Sequence, residues 1–445
     1  MSSRPTHTLA ARFDGIFAVD REERAAVLAG IAMFFLLFTG YFMLRPVRET
    51  MGIAGGVDKL QWLFTATFFT TLAALPLFGW IASKVQRRRI LPWTYAFFVT
   101  NLIAFAVLFA IDPENVWIAR AFYVWLSVFN LLAISLAWSV LADVFDVAQG
   151  KRLFALIAAG ASLGGLTGPI LGALLVRPLG HAGLLALSAL LLTSSGIAAI
   201  YLHRWRDRQG KGVSAAIPRE IELGGSIYAG ASAVWRSPYL LTIGLFVVLL
   251  AVVSTFLYFE QARIVAATFK DKTQQTEVFG LIDTAVQAMT IFIQMFLTGR
   301  IAERFGVKAL LVVVPMIMVL GFLWLALAPV FAALAAVMIV RRVGEYAFVR
   351  PGREMLYLPL QPEEKYKAKN FIDTVVYRGG DALGGWVKTA LDAFAGLPAA
   401  VMVIGAVIAA GWGATGAYLA RRHDVTANDW TGHDLAGQVR ATATR

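Results

Sequence analysis

The chain has 445 residues, 58% of them apolar and only 15% charged, with a mean hydropathy of +0.68. Soluble domains carry roughly a quarter charged residues, so these proportions exclude an ordinary soluble domain and predict a polytopic membrane protein. The net charge is +12 and there is no cysteine, which excludes disulfides, thiolate metal sites and lipid anchors on sulfur.

Some 24 mostly polar residues precede the first apolar run. That run is long enough to stay as a span, so the N-terminus does not read as a cleavable signal. Spans are then expected at 25–45, 60–83, 90–111, 116–141, 152–177 and 181–203. After a basic connector at 204–236 they resume at 238–260, 275–299, 307–328, 329–350, 369–394 and 397–420, and a polar tail fills 421–445. Most of these runs are near or above the roughly 18 to 20 residues a helix needs to cross the hydrocarbon layer. The fold class is therefore all-α, with twelve transmembrane helices. Basic residues mark one side: Lys84 and Arg87 to Arg89, Lys151 and Arg152, the "HRWRDRQGKG" connector, and Arg300, Arg304 and Lys308. The positive-inside bias puts these loops and both termini in the cytoplasm, as expected for a protein of a bacterial inner membrane. Charges spread this way through loops and spans do not form a nucleic-acid surface.

The two sets of six spans repeat. "GWIASKVQRRRIL" at 79–91 answers "GRIAERFGVKALL" at 299–311, and "GASLGG" at 160–165 answers "GDALGG" at 380–385, both 220 residues apart. A shared offset predicts a duplicated plan, with halves at 1–203 and 237–420. Because six is even, both halves enter from the same side. That parallel arrangement resembles major-facilitator transporters, in which the solute site lies between the repeats near the midplane.

Charges inside spans are costly and point to function. Arg45, Arg48 and Glu49 end span one in "YFMLRPVRETMG", and Glu260 and Arg263 end span seven in "FLYFEQAR". "RRVGEYAFVRPGREMLY" at 341–357 carries six charged residues, Arg350 and Arg353 among them. Arg350 reads as the deeper of those two, and Arg353 with Glu354 could equally be charges of a cytoplasmic loop. "NFIDTVVYRGGDALGGWVK" adds Asp373, Arg378, Asp381 and Lys388 in span eleven. A local alignment of the halves sets Arg45 and Arg48 opposite Glu260 and Arg263, which predicts a symmetric gate. The glycines at 160, 164, 168 and 172 form a four-residue stripe that reads as tight helix packing. The five histidines lack metal-ligand spacing, and no phosphate-binding G-x-x-x-x-G-K-[ST] loop occurs. A membrane enzyme working through Asp373 and Asp381, or a pure scaffold, fits these residues less well than a transporter. No metal or cofactor is expected.

"YAFVRPGREMLYLPLQPEEKYKAKNFIDTVVYRGG" at 346–380 resembles the ATP:ADP antiporter (nucleotide translocase) family, and "LRPVRE" at 44–49 is similar to its charged end of span one. The resemblance implies a major-facilitator-like fold and exchange of nucleotides by alternating access. It places Arg48 at a basic substrate contact, Arg353 at another basic position and Glu260 at an acidic position of span seven. Asp381 stands where that family's pattern has a lysine, and span four, "YVWLSVFNLLAISLAW", lacks its acidic residue. The expected substrate site is Arg45, Arg48, Glu260, Arg350, Arg353, Asp373, Arg378 and Asp381. In it Glu260, Glu354 and Asp381 should hold the arginines when no anion is bound. A different solute, coupled to protons through Asp373 or Asp381, is the alternative. The partners are then a small anionic solute such as ATP or ADP and the lipid bilayer. The oligomeric state is not written in the sequence, a monomer being the default.

Overall fold

The structure, a computed structural model, describes residues 19–84, 87–209, 227–395 and 397–443. The N-terminal tail to residue 18, most of the connector (210–226) and the side chains of the basic loop after the second span lie outside the described residues. Among the described residues there is no strand. Hydrocarbon offers no partner for a peptide group, so a spanning chain must satisfy its backbone within helices or a closed barrel.

The helices are α1 Arg24–Ala54, α2 Leu60–Lys84, α3 Arg87–Ile111, α4 Val116–Val144, α5 Val147–Arg208, α6 Ile227–Arg236, α7 Pro238–Thr268, α8 Lys272–Ile293, α9 Gly299–Leu327, α10 Phe331–Gly344, α11 Arg350–Leu356, α12 Pro362–Phe371, α13 Tyr377–Ala395 and α14 Pro398–Ala443. Their starts follow local chemistry. Asn115 caps α4 by accepting from the Trp117 and Ile118 amides at 2.9 and 3.2 Å. Asp146 and Gln149 form a reciprocal capping box at the head of α5. Ser237 caps α7, whose first residue is Pro238. Three turns are π-helical: Gln294–Thr298, Glu345–Val349 and Ile372–Val376. They join α8 to α9, α10 to α11 and α12 to α13 without a break.

Among the described residues eight helical segments are long and apolar enough to cross a membrane. Two of them are double. α5 has 62 residues, about 90 Å of helix against a hydrocarbon layer of about 30 Å. It breaks at Gly180, where φ is 64°. The run from α8 through α9 breaks likewise at Gly306, with φ 67°, just before the expected start of span nine at 307. With the charged helices over 331–356 and 362–395 counted as crossings, the helices are consistent with the twelve expected. The chain is an integral membrane protein.

Contacts divide the chain into two units. The first holds residues to Gly55, Ala73–Glu222 and Asp271–Thr284; the second holds Gly56–Leu72, Leu223–Lys270 and Ala285 onward. Each unit thus takes in the opening segment of a helix from the other half of the sequence. In the first unit the start of α8 docks through Arg177 to Glu277, with one bond at 2.8 Å, and through Lys272 to Glu114 at 2.8 Å. Gly280 lies so close that a Cβ there would come within 3.0 Å of the Pro169 carbonyl oxygen. In the second unit the start of α2 docks by aromatic contact. Trp62 meets Trp386 edge-on at 4.9 Å, Phe64 meets Tyr258 at 5.2 Å, and the Trp386 indole donates to Thr65 at 3.0 Å.

Within the first unit α1 lies against α5 along the glycine stripe. A Cβ at Gly164 would sit 2.5 Å from the Phe35 carbonyl oxygen, and one at Gly168 would sit 2.7 Å from that of Thr39. The stripe is a packing seam, as its spacing suggests.

Candidate functional site: buried ion pairs in each unit

In the first unit the charged end of α1 carries Pro46 within the helix. Arg45 and Arg48 are three residues apart, but they reach different helices. The Arg45 Nε lies 3.7 Å from Asp283 Oδ2 on α8, whose side chain is only 3% exposed. Arg48 turns to α4. It donates from Nη2 to Glu49 Oε1 at 2.9 Å and from Nη1 to Ser127 Oγ at 3.3 Å, and its guanidinium lies 4.8 Å above the Tyr123 ring. Ser127 donates its own proton to the Tyr123 carbonyl at 2.9 Å, which leaves its lone pairs for the arginine. Glu49 Oε2 is buried without a hydrogen bond. Asp283, Ser127 and Tyr123 were not among the expected site residues. A lone acid in the apolar run "GLIDTAV" was the one signal of Asp283; nothing in span four marks Ser127 or Tyr123.

In the second unit the expected residues fall into separate pairs. The Glu260 carboxylate, 1% exposed, is held by Arg263 one turn later on α7. Arg353 Nη2 meets Asp373 Oδ1 at 3.0 Å, with side chains 11% and 31% exposed. Arg378 Nη1 lies 3.4 Å from Asp381 Oδ2, and Thr255 Oγ1 donates to the Asp381 carbonyl at 3.5 Å. Arg350 lies over the Tyr346 ring at 4.8 Å and within electrostatic range of Asp373 and Tyr377.

Arg353 is buried while Arg350 is exposed; helix continues through the π turn to Leu356, so both lie on one continuous helix. One expectation is corrected: the acids that hold the arginines differ. Glu354 pairs with Lys369 at 2.5 Å, Glu260 with its own helix neighbour, and Asp381 with Arg378. Asp283, Glu49 and Asp373 take Arg45, Arg48 and Arg353 instead.

A further buried pair was outside the expected set. Arg341 Nη1 donates to Glu345 Oε2 at 2.9 Å and to Ser254 Oγ at 2.7 Å, and the two charged side chains are 10% and 6% exposed. Their four-residue spacing on a helix was the available signal. Lys388 is similarly committed to Asp392, at 2.5 and 2.6 Å. Among the described residues no group of His, Asp or Glu is placed to hold a metal ion.

Helices of this length, repeated with the same exchange of opening segments and lined with paired intramembrane charge, are the build of a transport protein. A sequence profile of the Major Facilitator Superfamily matches residues 25–268, more than half of the chain. The chain belongs to the Major Facilitator Superfamily. Solved structures of comparable fold include a bacterial homologue of the human lysosomal transporter Spinster, with a TM-score of 0.60 at 13% identity over 92% of this chain and 99% of that one. The nucleoside transporter NupG aligns with a TM-score of 0.56 at 16% identity, over 90% of this chain and 99% of that one. These identities speak for the facilitator fold alone. In sequence the chain is 23% identical to ADP,ATP carrier protein 1 of Chlamydia muridarum, over 84% of this chain and 83% of the carrier. It is 23% identical to the protein of the same name from Chlamydia trachomatis serovar D, over 84% of each.

Proposed function

We propose that this facilitator is a secondary transporter exchanging ATP- and ADP-type nucleotides across a bacterial inner membrane, with both termini cytoplasmic. The carrying observation is Arg48: a guanidinium inside the first unit, backed by the Tyr123 ring and held by the adjacent Glu49 and by Ser127 of α4. Arginine keeps its charge when desolvated and offers a planar fork that matches phosphate oxygens. Its present partners are groups an oxyanion can replace. Loading then swaps Glu49 and Ser127 for phosphate, with no covalent chemistry and no enzyme activity. Similarity to two ADP,ATP carriers along 84% of the chain supports the same substrate class.

Arg45 with Asp283 and Arg353 with Asp373 extend this pattern of cations parked on carboxylates. Parking limits the cost of an unpaired buried charge, which reaches roughly 3–5 kcal/mol when one partner of a buried pair is removed. Glu260, Arg350, Arg378 and Asp381 complete the proposed set. The test is counter-exchange. Proteoliposomes loaded with ADP should take up labelled ATP, and liposomes without internal nucleotide should not. Uptake that ignores internal nucleotide, or none at all, overturns the reading.

A second reading rests on Asp381, an acid where the resembling family carries a lysine. In it the solute is a different anion and a proton accompanies it through Asp381 or Asp373. Uptake driven by an imposed proton gradient in nucleotide-free liposomes would select it.

A further inference from the structure

Both units bridge an arginine–glutamate pair on one helix to a serine on another. In the first, Arg48 and Glu49 of α1 meet Ser127 of α4. In the second, Arg341 and Glu345, on α10 and the π turn that continues it, meet Ser254 of α7. α7 and α10 begin 214 and 215 residues after α1 and α4, from Arg24 to Pro238 and from Val116 to Phe331. The same two helices of the repeat therefore carry the arrangement, with the cation moved from the first to the fourth. A chance structural pair has no reason to recur on repeat-equivalent helices.

The chemistry at Arg341 is that of an incompletely used site. Both hydrogen bonds leave from Nη1, while the buried Nε has no hydrogen-bond partner. A buried donor left unmade costs roughly 1–3 kcal/mol. The edge formed by Nε and Nη2 is the one that takes a carboxylate or phosphate in bidentate fashion. Asp381 lies within electrostatic range of both Arg341 and Glu345, and Tyr377 within range of Glu345, Arg378 and Asp381. Glu345 also opens a π turn, Glu345–Val349, a local geometry that concentrates at functional sites.

We propose that Arg341 is an oxyanion-binding residue contained wholly in the second unit. Glu345 and Ser254 hold it when the subsite is empty, and a phosphate or carboxylate group displaces Glu345 when it is filled. That the oxyanion is a nucleotide phosphate rests on the transport reading above; the subsite itself does not.

The test measures binding of ATP, pyrophosphate, inorganic phosphate and succinate to the purified full-length protein in nanodiscs. The variants are Arg341→Gln, Glu345→Gln and the double Arg341→Gln/Glu345→Gln, each checked for a monodisperse size-exclusion profile and its thermal midpoint. Arg341→Gln should raise the Kd of the bound anion by roughly tenfold or more, the value of a charge-assisted bond. Glu345→Gln removes the competing carboxylate and should lower the Kd several-fold. The double variant leaves no lone buried charge, so it should fold like the parent and keep the loss. A double variant that binds like the parent overturns the subsite and leaves the nucleotide reading standing. A Glu345→Gln variant whose Kd is unchanged or raised overturns the displacement of Glu345. If the parent binds pyrophosphate or succinate but not ATP, and Arg341→Gln removes that binding, the subsite holds and the nucleotide reading falls. A parent that binds none of the four overturns both.

Discussion

Arg353 and Arg350 show what decides the fate of a charge in this fold. They stand three positions apart, yet Arg353 is buried on Asp373 and Arg350 is exposed over an aromatic ring. Burial makes a pair expensive to break, so Asp373→Asn should cost a few kcal/mol. Glu354→Gln, which breaks the exposed pair with Lys369, should cost under about 1 kcal/mol. Thermal midpoints of the two variants in one detergent check the order. At Arg48, replacement by alanine should abolish nucleotide binding while the size-exclusion profile stays that of the parent. Arg48→Lys should retain part of the binding, because charge survives and the planar fork does not. Asp381→Lys replaces a carboxylate beside Arg378 with a cation, so ATP affinity should rise, measured by calorimetry against the parent. That these helices carry charge within apolar runs was legible in the residues themselves. Their pairings were not, since a spacing such as that of Arg45 and Arg48 says which face they share and not which helix comes to meet it.

Among elements, the seam between α1 and α5 is the most constrained. A Cβ at Gly168 would lie 2.7 Å from the Thr39 carbonyl oxygen, too close for any side chain without moving a backbone. Gly168→Val should therefore destabilise the protein by roughly 1–3 kcal/mol or more, the usual cost of overpacking, and lower its thermal midpoint. A Gly244→Ala control, where nothing lies within 4 Å, should change it far less. This seam was readable because four glycines at a four-residue interval leave one face of a helix bare. The π turns were not readable. The turns at 294–298 and 345–349 satisfy each other: Gln294 donates to the Tyr346 carbonyl at 3.0 Å, and Thr298 to that of Ala347 at 2.9 Å. Each is sustained by a partner some 50 residues away in sequence, and no local pattern announces it.

Across the whole molecule, the absence of cysteine makes topology directly measurable. Single cysteines can be introduced without background. Asp112→Cys lies in the short link between α3 and α4, and Lys151→Cys near the head of α5. From the positive-inside bias, a membrane-impermeant maleimide added outside intact cells should modify the first and spare the second. The reverse pattern would invert the orientation. The two units do not follow the sequence halves residue for residue. The start of α2 belongs to the second unit and the start of α8 to the first, a reciprocal exchange between equivalent helices.

The sequence by itself determined that this is a membrane protein of all-α, duplicated build, because hydrocarbon imposes a minimum apolar length and a helical backbone on every crossing. It also determined which residues are too costly to bury idly. Only the tertiary structure decided the distant partners: Asp283 for Arg45, Ser127 and Tyr123 for Arg48, Asp373 for Arg353, and Ser254 for Arg341. The reason is reach. A charge selects a counter-charge within a few ångströms of space, and in a bundle that space is filled by helices tens or hundreds of residues away along the chain.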